Sequence, residues 1–255
     1  MGIINVTPDS FSDGGKFSSV KAAVWQAKKL KKEGADIIDI GGEASGPNSK
    51  NVSEKEEIRR VIPVIKAIKK ELSIPISIDT YKSKVAKEAL KAGADIVNDI
   101  TALRGDKLMA KVVADSGCPI IMMYSKDPSA RTTLKAKKYS DPIATISTFL
   151  KKQREYALKQ GVKKEQIILD PGMGHFVSSD PNYSYQILLK LSELRPLGHP
   201  ILIGLSRKSF LGGELSKRDE LGKGPSALAY LNGARIIRTH DVKGLKEFFD
   251  VLAIN

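Results

Sequence analysis

Short apolar runs alternate with longer amphipathic segments along the whole 255-residue chain. Consecutive apolar positions over about five residues suit strands covered on both faces, whereas the longer segments repeat their apolar residues at helical spacing. The strands this pattern predicts are 2–6, 36–41, 75–79, 96–100, 119–124, 167–170, 200–206 and 235–240, each followed by a helical segment. Start and stop signals agree. Ser53 with Glu56 has the spacing of a capping box, Asp141-Pro142 and Asp180-Pro181 place an N-cap before a proline in the first turn, and Gly34 and Gly93 stop helices just ahead of the next strand. Eight strand–helix units in a chain of this length predict a single α/β domain, a (β/α)8 TIM barrel spanning residues 1–255, with an open doubly wound sheet as the alternative.

Composition narrows the class of partner. The chain carries 42 Lys and Arg against 29 Asp and Glu, a formal net charge of +13. Lys28, Lys29, Lys31 and Lys32, then Lys66, Lys69 and Lys70, fall near the ends of predicted helices beside acidic residues, as solvated faces do. A nucleic-acid binder gathers its basic residues into one stripe with aromatics among them, but here they recur along the chain and aromatics are 6%. No nucleic-acid partner is expected; the field instead favours small anionic substrates. Apolar stretches such as 119–123 and 200–203 fall far short of the roughly 18 residues of a membrane helix, so no membrane partner is expected either. Met1 runs into Gly2-Ile3-Ile4-Asn5 without the basic segment and long apolar region of a secretory signal, and the single Cys118 cannot close an intrachain disulfide. Both suit a cytoplasmic location, with Cys118 as a packed structural thiol.

In a barrel of this kind the chemistry collects at the C-terminal ends of the strands. The polar residues there are Asn5, Asp39, Asp79, Asn98, Asp170, Ser206 with Lys208, and Arg238 with His240. Any one of them could simply cap the next helix. Three carboxylates, two amides and three basic groups on one rim exceed what capping needs and define a candidate site. Asp79, Asn98, Asp170 and Lys208 match a flat guanine-like or pterin-like heterocycle, because a carboxylate accepts two parallel N–H bonds and an Asn pairs with a donor and an acceptor. Arg238 and His240, two apart on a strand, point the same way and are suited to an anion such as phosphate; the plain alternative is a strand-end ion pair with Asp241. The first strand opens into a polar, glycine-bearing loop, residues 5–15, with the composition of a mobile lid. Because the first and eighth strands adjoin in a closed barrel, Asn5 is expected near the same anion, where its oxygen could bind a phosphate-bound Mg2+. There is no GxxxxGK[ST] loop, no paired Cys and no His pair at zinc spacing.

The residues themselves resemble a known family. Gly2-Ile3-Ile4-Asn5-Val6-Thr7-Pro8-Asp9-Ser10-Phe11-Ser12-Asp13-Gly14-Gly15 closely resembles the opening signature of dihydropteroate synthases. So, in order along the chain, do Ser77-Ile78-Asp79-Thr80, Asn98-Asp99-Ile100, Asp170-Pro171-Gly172, Ser206-Arg207-Lys208-Ser209-Phe210-Leu211-Gly212 and Arg238-Thr239-His240-Asp241. The resemblance implies a pterin-binding TIM barrel, a transferase of folate biosynthesis. It would join 6-hydroxymethyl-7,8-dihydropterin diphosphate to 4-aminobenzoate with release of diphosphate, by an SN1-like route. It further implies that Asp79, Asn98, Asp170 and Lys208 grip the pterin, with Ile100 and Met123 packed on the ring. Asn5, Arg238 and His240 would hold the diphosphate, Asn5 as the ligand of Mg2+, while Phe11, Ser45, Pro47 and Ser206 would meet the aminobenzoate. Catalysis would rest on Asp79, Asp170, Lys208 and Arg238 through electrostatic stabilisation and positioning, with Asp170 ionised beside Lys208. A homodimer is implied as well. A related pterin-dependent methyltransferase and a non-catalytic pterin-binding protein remain as alternatives.

Three segments depart from the family pattern. Where the loop after the second strand usually reads Gly-Gly-Glu-Ser-Thr-Arg-Pro-Gly, this chain has Gly41-Gly42-Glu43-Ala44-Ser45-Gly46-Pro47-Asn48, with Gly46 in place of the Arg. The usual Met-His-Met after the fifth strand is Met123-Tyr124-Ser125, and the usual Gly-Phe-Gly after Asp-Pro-Gly reads Met173-Gly174-His175-Phe176. Together these resemble the divergent, sulfonamide-insensitive branch of the family.

Overall fold

The computed structural model describes residues 1–6, 16–47 and 49–252. Eight strands form one parallel sheet in sequence order: β1 (Gly2–Asn5), β2 (Ile38–Gly41), β3 (Ile76–Asp79), β4 (Ile96–Asp99), β5 (Ile120–Met123), β6 (Ile167–Asp170), β7 (Ile201–Gly204) and β8 (Ala234–Arg238). The sheet closes on itself. Gly2 bridges Thr239 in parallel, Ile3 N donates to Thr239 O at 3.2 Å, and Thr239 N donates to Met1 O at 3.0 Å. The (β/α)8 barrel is therefore borne out, and the open sheet is not. Each expected strand is present; β6 has the expected bounds, and the other seven are shorter by one to three residues.

Nine helices occur among the described residues: α1 (Lys16–Lys32), α2 (Glu54–Glu71), α3 (Ser83–Lys91), α4 (Met109–Ser116), α5 (Pro142–Lys159), α6 (Pro181–Leu189), α7 (Arg218–Leu221), α8 (Lys223–Leu231) and α9 (Val242–Val251). Their caps follow the local chemistry. Ser53 Oγ accepts from Glu56 N at 3.2 Å, Asp141 caps the Ile143 and Ala144 amides, and Asp180 caps Asn182 N. The Glu56 carboxylate turns away from the expected reciprocal bond and binds Arg59 and Arg60 instead. Gly34 and Gly93 end their helices in the left-handed region.

Period-two alternation builds the barrel interior in layers. Met1, Ile96, Ile121 and Leu202, with Ile37, Ile168 and Ile236 packed on them, make an apolar cluster. Two residues further along each strand, on the same side, stand Ile3, Asp39, Asn98, Met123, Asp170, Gly204 and Arg238. One sequence periodicity thus lays a greasy floor and sets the polar groups one step above it. The outer faces of the strands, with Ile4, Ile38, Ile40, Ile76, Ile78, Val97, Ile120 and Met122, pack against the helices in the main core.

The turn after β6 fixes Asp170. Gly172 sits at φ +67° and its amide donates to Asp170 Oδ1 at 2.7 Å; a Cβ there would lie 2.3 Å from the Tyr124 carbonyl oxygen. Gly172→Ala is expected to destabilise the chain by about 2 to 3 kcal/mol, read as a lowered urea midpoint.

Candidate active site

The polar layer opens into a cavity of about 120 Å³ at the C-terminal mouth of the barrel. Its walls include Ser45, Asp79, Asn98, Ile100, Met123, Asp170, Ser206, Lys208 and Arg238, nine residues that the sequence singled out separately. Asn5, Pro47 and His240 do not line it, and Phe11 lies outside the described residues. Sequence reasoning missed four further wall residues, Ile3, Met173, Phe176 and Gly204. The signal for Ile3 and Gly204 was present, since they share the inward phase of Asn5 and Leu202.

Arg238 organises the mouth. Its Nε donates to Asp39 Oδ2 at 2.6 Å and its Nη2 to Asp79 Oδ2 at 2.9 Å. Asp39 is buried, and Asn98 Nδ2 makes long contacts to it at 3.4 and 3.5 Å. Neither Gly41 nor Gly204 carries a side chain into this space, so Asp79 and Arg238 face the cavity unobstructed. Burial, and then the nearby Asp39 charge, push the Asp79 carboxyl up to about 7 against the opposing pull of Arg238. Asp170 is pushed up to about 6 by burial, offset by the Gly172 amide and Lys208, so it is mostly ionised at neutral pH as expected.

Lys208 is presented by a strained turn. Arg207, before it, has φ 61°, a left-handed conformation costly for a residue with a side chain. Asp219 holds that turn by accepting from Arg207 Nε at 2.9 Å and Ser206 Oγ at 2.6 Å. Lys208 Nζ stands 4.8 Å from the Phe176 ring centroid, and burial lowers it to about 8 despite the attraction of Asp170.

His240 departs from the expected cation pair. Its ring is pushed down to about 4 by burial and by Arg207 and Arg238, so it is neutral at pH 7. Ser206 Oγ gives its one proton to Asp219 and accepts from His240 N at 3.1 Å, so at 2.8 Å it accepts from a protonated His240 Nδ1. Nε2 is then the bare nitrogen. The expectation that Arg238 and His240 lie two apart on one strand is corrected, because the strand ends at Arg238 and His240 falls beyond it. The alternative ion pair with Asp241 is also absent, since Asp241 caps Gly244.

Among the described residues no group of three or more His, Cys, Asp or Glu is arranged to hold a metal ion, and no helix is long and apolar enough to cross a membrane. Asn5 ends β1 exposed, its Oδ1 3.9 Å from where a Gly41 Cβ would stand, on the Asp79 side of the mouth.

Comparison with known proteins agrees with this geometry. Residues 1–240 match the pterin-binding enzyme family. The dihydropteroate synthase of Synechocystis sp. is 44% identical over 256 residues, covering 98% of this chain and 88% of that one. The crystal structure of the Clostridium difficile dihydropteroate synthase in the presence of pteroic acid superposes with a TM-score of 0.90 at 45% identity, covering 98% of this chain and 94% of that one. The Xanthomonas albilineans dihydropteroate synthase with 4-aminobenzoic acid gives a TM-score of 0.91 at 38% identity, covering 99% and 91%. The chain belongs to the pterin-binding enzymes and, among them, to the dihydropteroate synthase family.

The three shifted groups set a pH window. For a neutral guanine-like heterocycle that donates N–H bonds to Asp79 and Asp170, affinity should peak between about pH 7 and 8. It should fall on the acid side as Asp79 and then Asp170 take up protons through about 7 and about 6, and on the alkaline side as Lys208 loses its proton through about 8. Calorimetric titration across that range checks the profile; a flat one would remove these groups from recognition.

Proposed function

We propose that this chain condenses 6-hydroxymethyl-7,8-dihydropterin diphosphate with 4-aminobenzoate to give 7,8-dihydropteroate and diphosphate. The observation that carries the reading is the single hollow in which Asp79, Asn98, Asp170, Lys208 and Arg238 converge. Relatives 41–44% identical over nearly the whole chain bear the name of that activity, which favours it over a methyltransferase.

In this reading the pterin enters edge-on. Its ring N–H groups donate to the Asp79 and Asp170 carboxylates, Asn98 offers an amide to the same edge, and the Lys208 ammonium donates to a ring acceptor. Ile100 and Met123 pack on the ring faces. Arg238, already joined to Asp79, lies between the Asp79 carboxylate that holds the pterin and the departing diphosphate, so charge leaving the pterin carbon is received beside the group that holds the ring. As the C–O bond breaks, positive charge spreads over the pterin, where ionised Asp170 opposes it. The arylamine nitrogen then attacks the exposed carbon and loses its proton to solvent. No protein nucleophile is needed, and catalysis consists of positioning and electrostatic stabilisation. Ser45 and Ser206 stand on the wall where the aminobenzoate would approach.

Asn5 and its surroundings fit Mg2+, which keeps most of its waters and takes few protein ligands: one exposed amide oxygen at the rim, with the remaining positions left to water and diphosphate. Bound there, the ion would neutralise charge on the leaving group. Cytoplasmic location and a homodimer complete the reading. Leu189 at the end of α6 and Leu231 at the end of α8, 63% and 64% exposed on neighbouring helices, support a dimer face there.

Incubation with both substrates and Mg2+ should release diphosphate and form dihydropteroate; no product above that of a Lys208→Ala control would overturn the reading. Arg238→Ala should weaken binding of the pterin diphosphate about 10- to 100-fold beyond its effect on the bare pterin alcohol, because only the diphosphate presents the anion. Equal losses for the two ligands in a competition assay would contradict that role.

A further inference from the structure

Two nearly buried carboxylates take no part in the ring around Arg238. The Glu43 and Glu57 side chains are only 8% and 1% exposed. Lys82 lies between them, bonded to Glu43 Oε2, to Glu57 Oε2 at 2.6 Å and to the Val52 carbonyl at 2.6 Å. The second oxygen of Glu43 takes Arg131, which comes from the loop after β5. Arg131 Nε also donates to Ser49 O at 3.0 Å and Nη2 to Lys50 O at 3.1 Å. One guanidinium thus binds a carboxylate and two carbonyls of a loop more than 80 positions away in sequence.

Backbone contact follows the same line, with Thr132 N donating to Ser45 O at 3.4 Å. On the other side, buried Lys126 Nζ binds Thr132 Oγ1 at 3.0 Å and His175 O at 2.7 Å. The loops after β2, β5 and β6 are therefore tied together by two cations. Ser45, the residue at the centre of this tie, lines both the main cavity and a small adjoining cleft. A planar guanidinium presents its donors in a fixed fork, whereas the three donors of an ammonium rotate. Within the loop after β2, Ser49 N and Oγ donate to the Gly46 carbonyl at 3.2 and 2.7 Å, and Gly46 itself offers no side chain to pack, so the bonds from Arg131 add the ties to the rest of the mouth.

We propose that Arg131 is a positioning residue for the second substrate: by clamping Glu43 and the 49–50 backbone it holds Ser45 in the wall against which the arylamine is seated. This rests on the reaction proposed above. Arg131 acts through the loop, so its loss should be felt by one substrate and not the other.

The test compares Arg131→Ala, Arg131→Lys and Glu43→Gln in the full chain. Steady-state kinetics should show the 4-aminobenzoate KM raised about tenfold or more in Arg131→Ala, with the pterin diphosphate KM within about twofold. Arg131→Lys should recover only part of this loss, and in a Glu43→Gln background Arg131→Ala should cost distinctly less. Amide hydrogen exchange, which needs no turnover, should speed about tenfold at residues 43–52 of Arg131→Ala while β3 and β4 stay protected. Parallel rises in both KM values, or unchanged exchange in that loop, would overturn the proposal. Should Arg131→Ala fail to fold, Glu43→Gln alone must raise the arylamine KM selectively, and its failure to do so would be equally fatal. If the wild-type protein formed no dihydropteroate, the reaction would be wrong, while the exchange result would still decide whether Arg131 holds the loop.

Discussion

The mouth of this barrel depends on a single guanidinium shared by two carboxylates. Arg238 ends β8, Asp39 lies within β2 and Asp79 ends β3, so the pair of bonds ties three strands across the opening. Each charge would be costly alone at this depth, and together they offset one another only while the geometry holds. The arrangement is also unbalanced. With Asp170 and Lys208 counted, three carboxylates face two cations, and at Asp79 burial first and the Asp39 charge second raise the carboxyl to about 7. A ligand that brings N–H donors to Asp79 relieves the excess.

That imbalance explains why the overall charge of +13 is a poor guide to the site. Most of the lysines lie on outer helices, some in surface pairs such as Lys69 with Asp95 and Lys91 with Glu88. Inside the mouth the cations are outnumbered. The surface draws anions in; the pocket selects by hydrogen-bond pattern.

Much of this was legible in the chain. Strand positions follow from apolar runs, and the inward phase follows from counting twos, so Asp79, Asn98, Asp170 and Arg238 could be placed on one rim without coordinates. Three kinds of information were not. Asp39 was recognised as polar and at a strand end, but nothing local says that it is bonded to a residue 199 positions away. The neutrality of His240 is a property of burial first, and then of Arg207 and Arg238; of these only Arg238 is visible in its own segment. The Glu43–Arg131 clamp joins two loops, and loops lack the periodicity that made the strands readable.

The apolar floor has a consequence for traffic. Among the described residues Met1, Ile96, Ile121 and Leu202 fill the lower end of the barrel, so the hollow has no way out through its floor. Two molecules that react inside such a vessel cannot pass one another. Whichever lies deeper has to be loaded first, and the joined molecule must back out the way its halves came in.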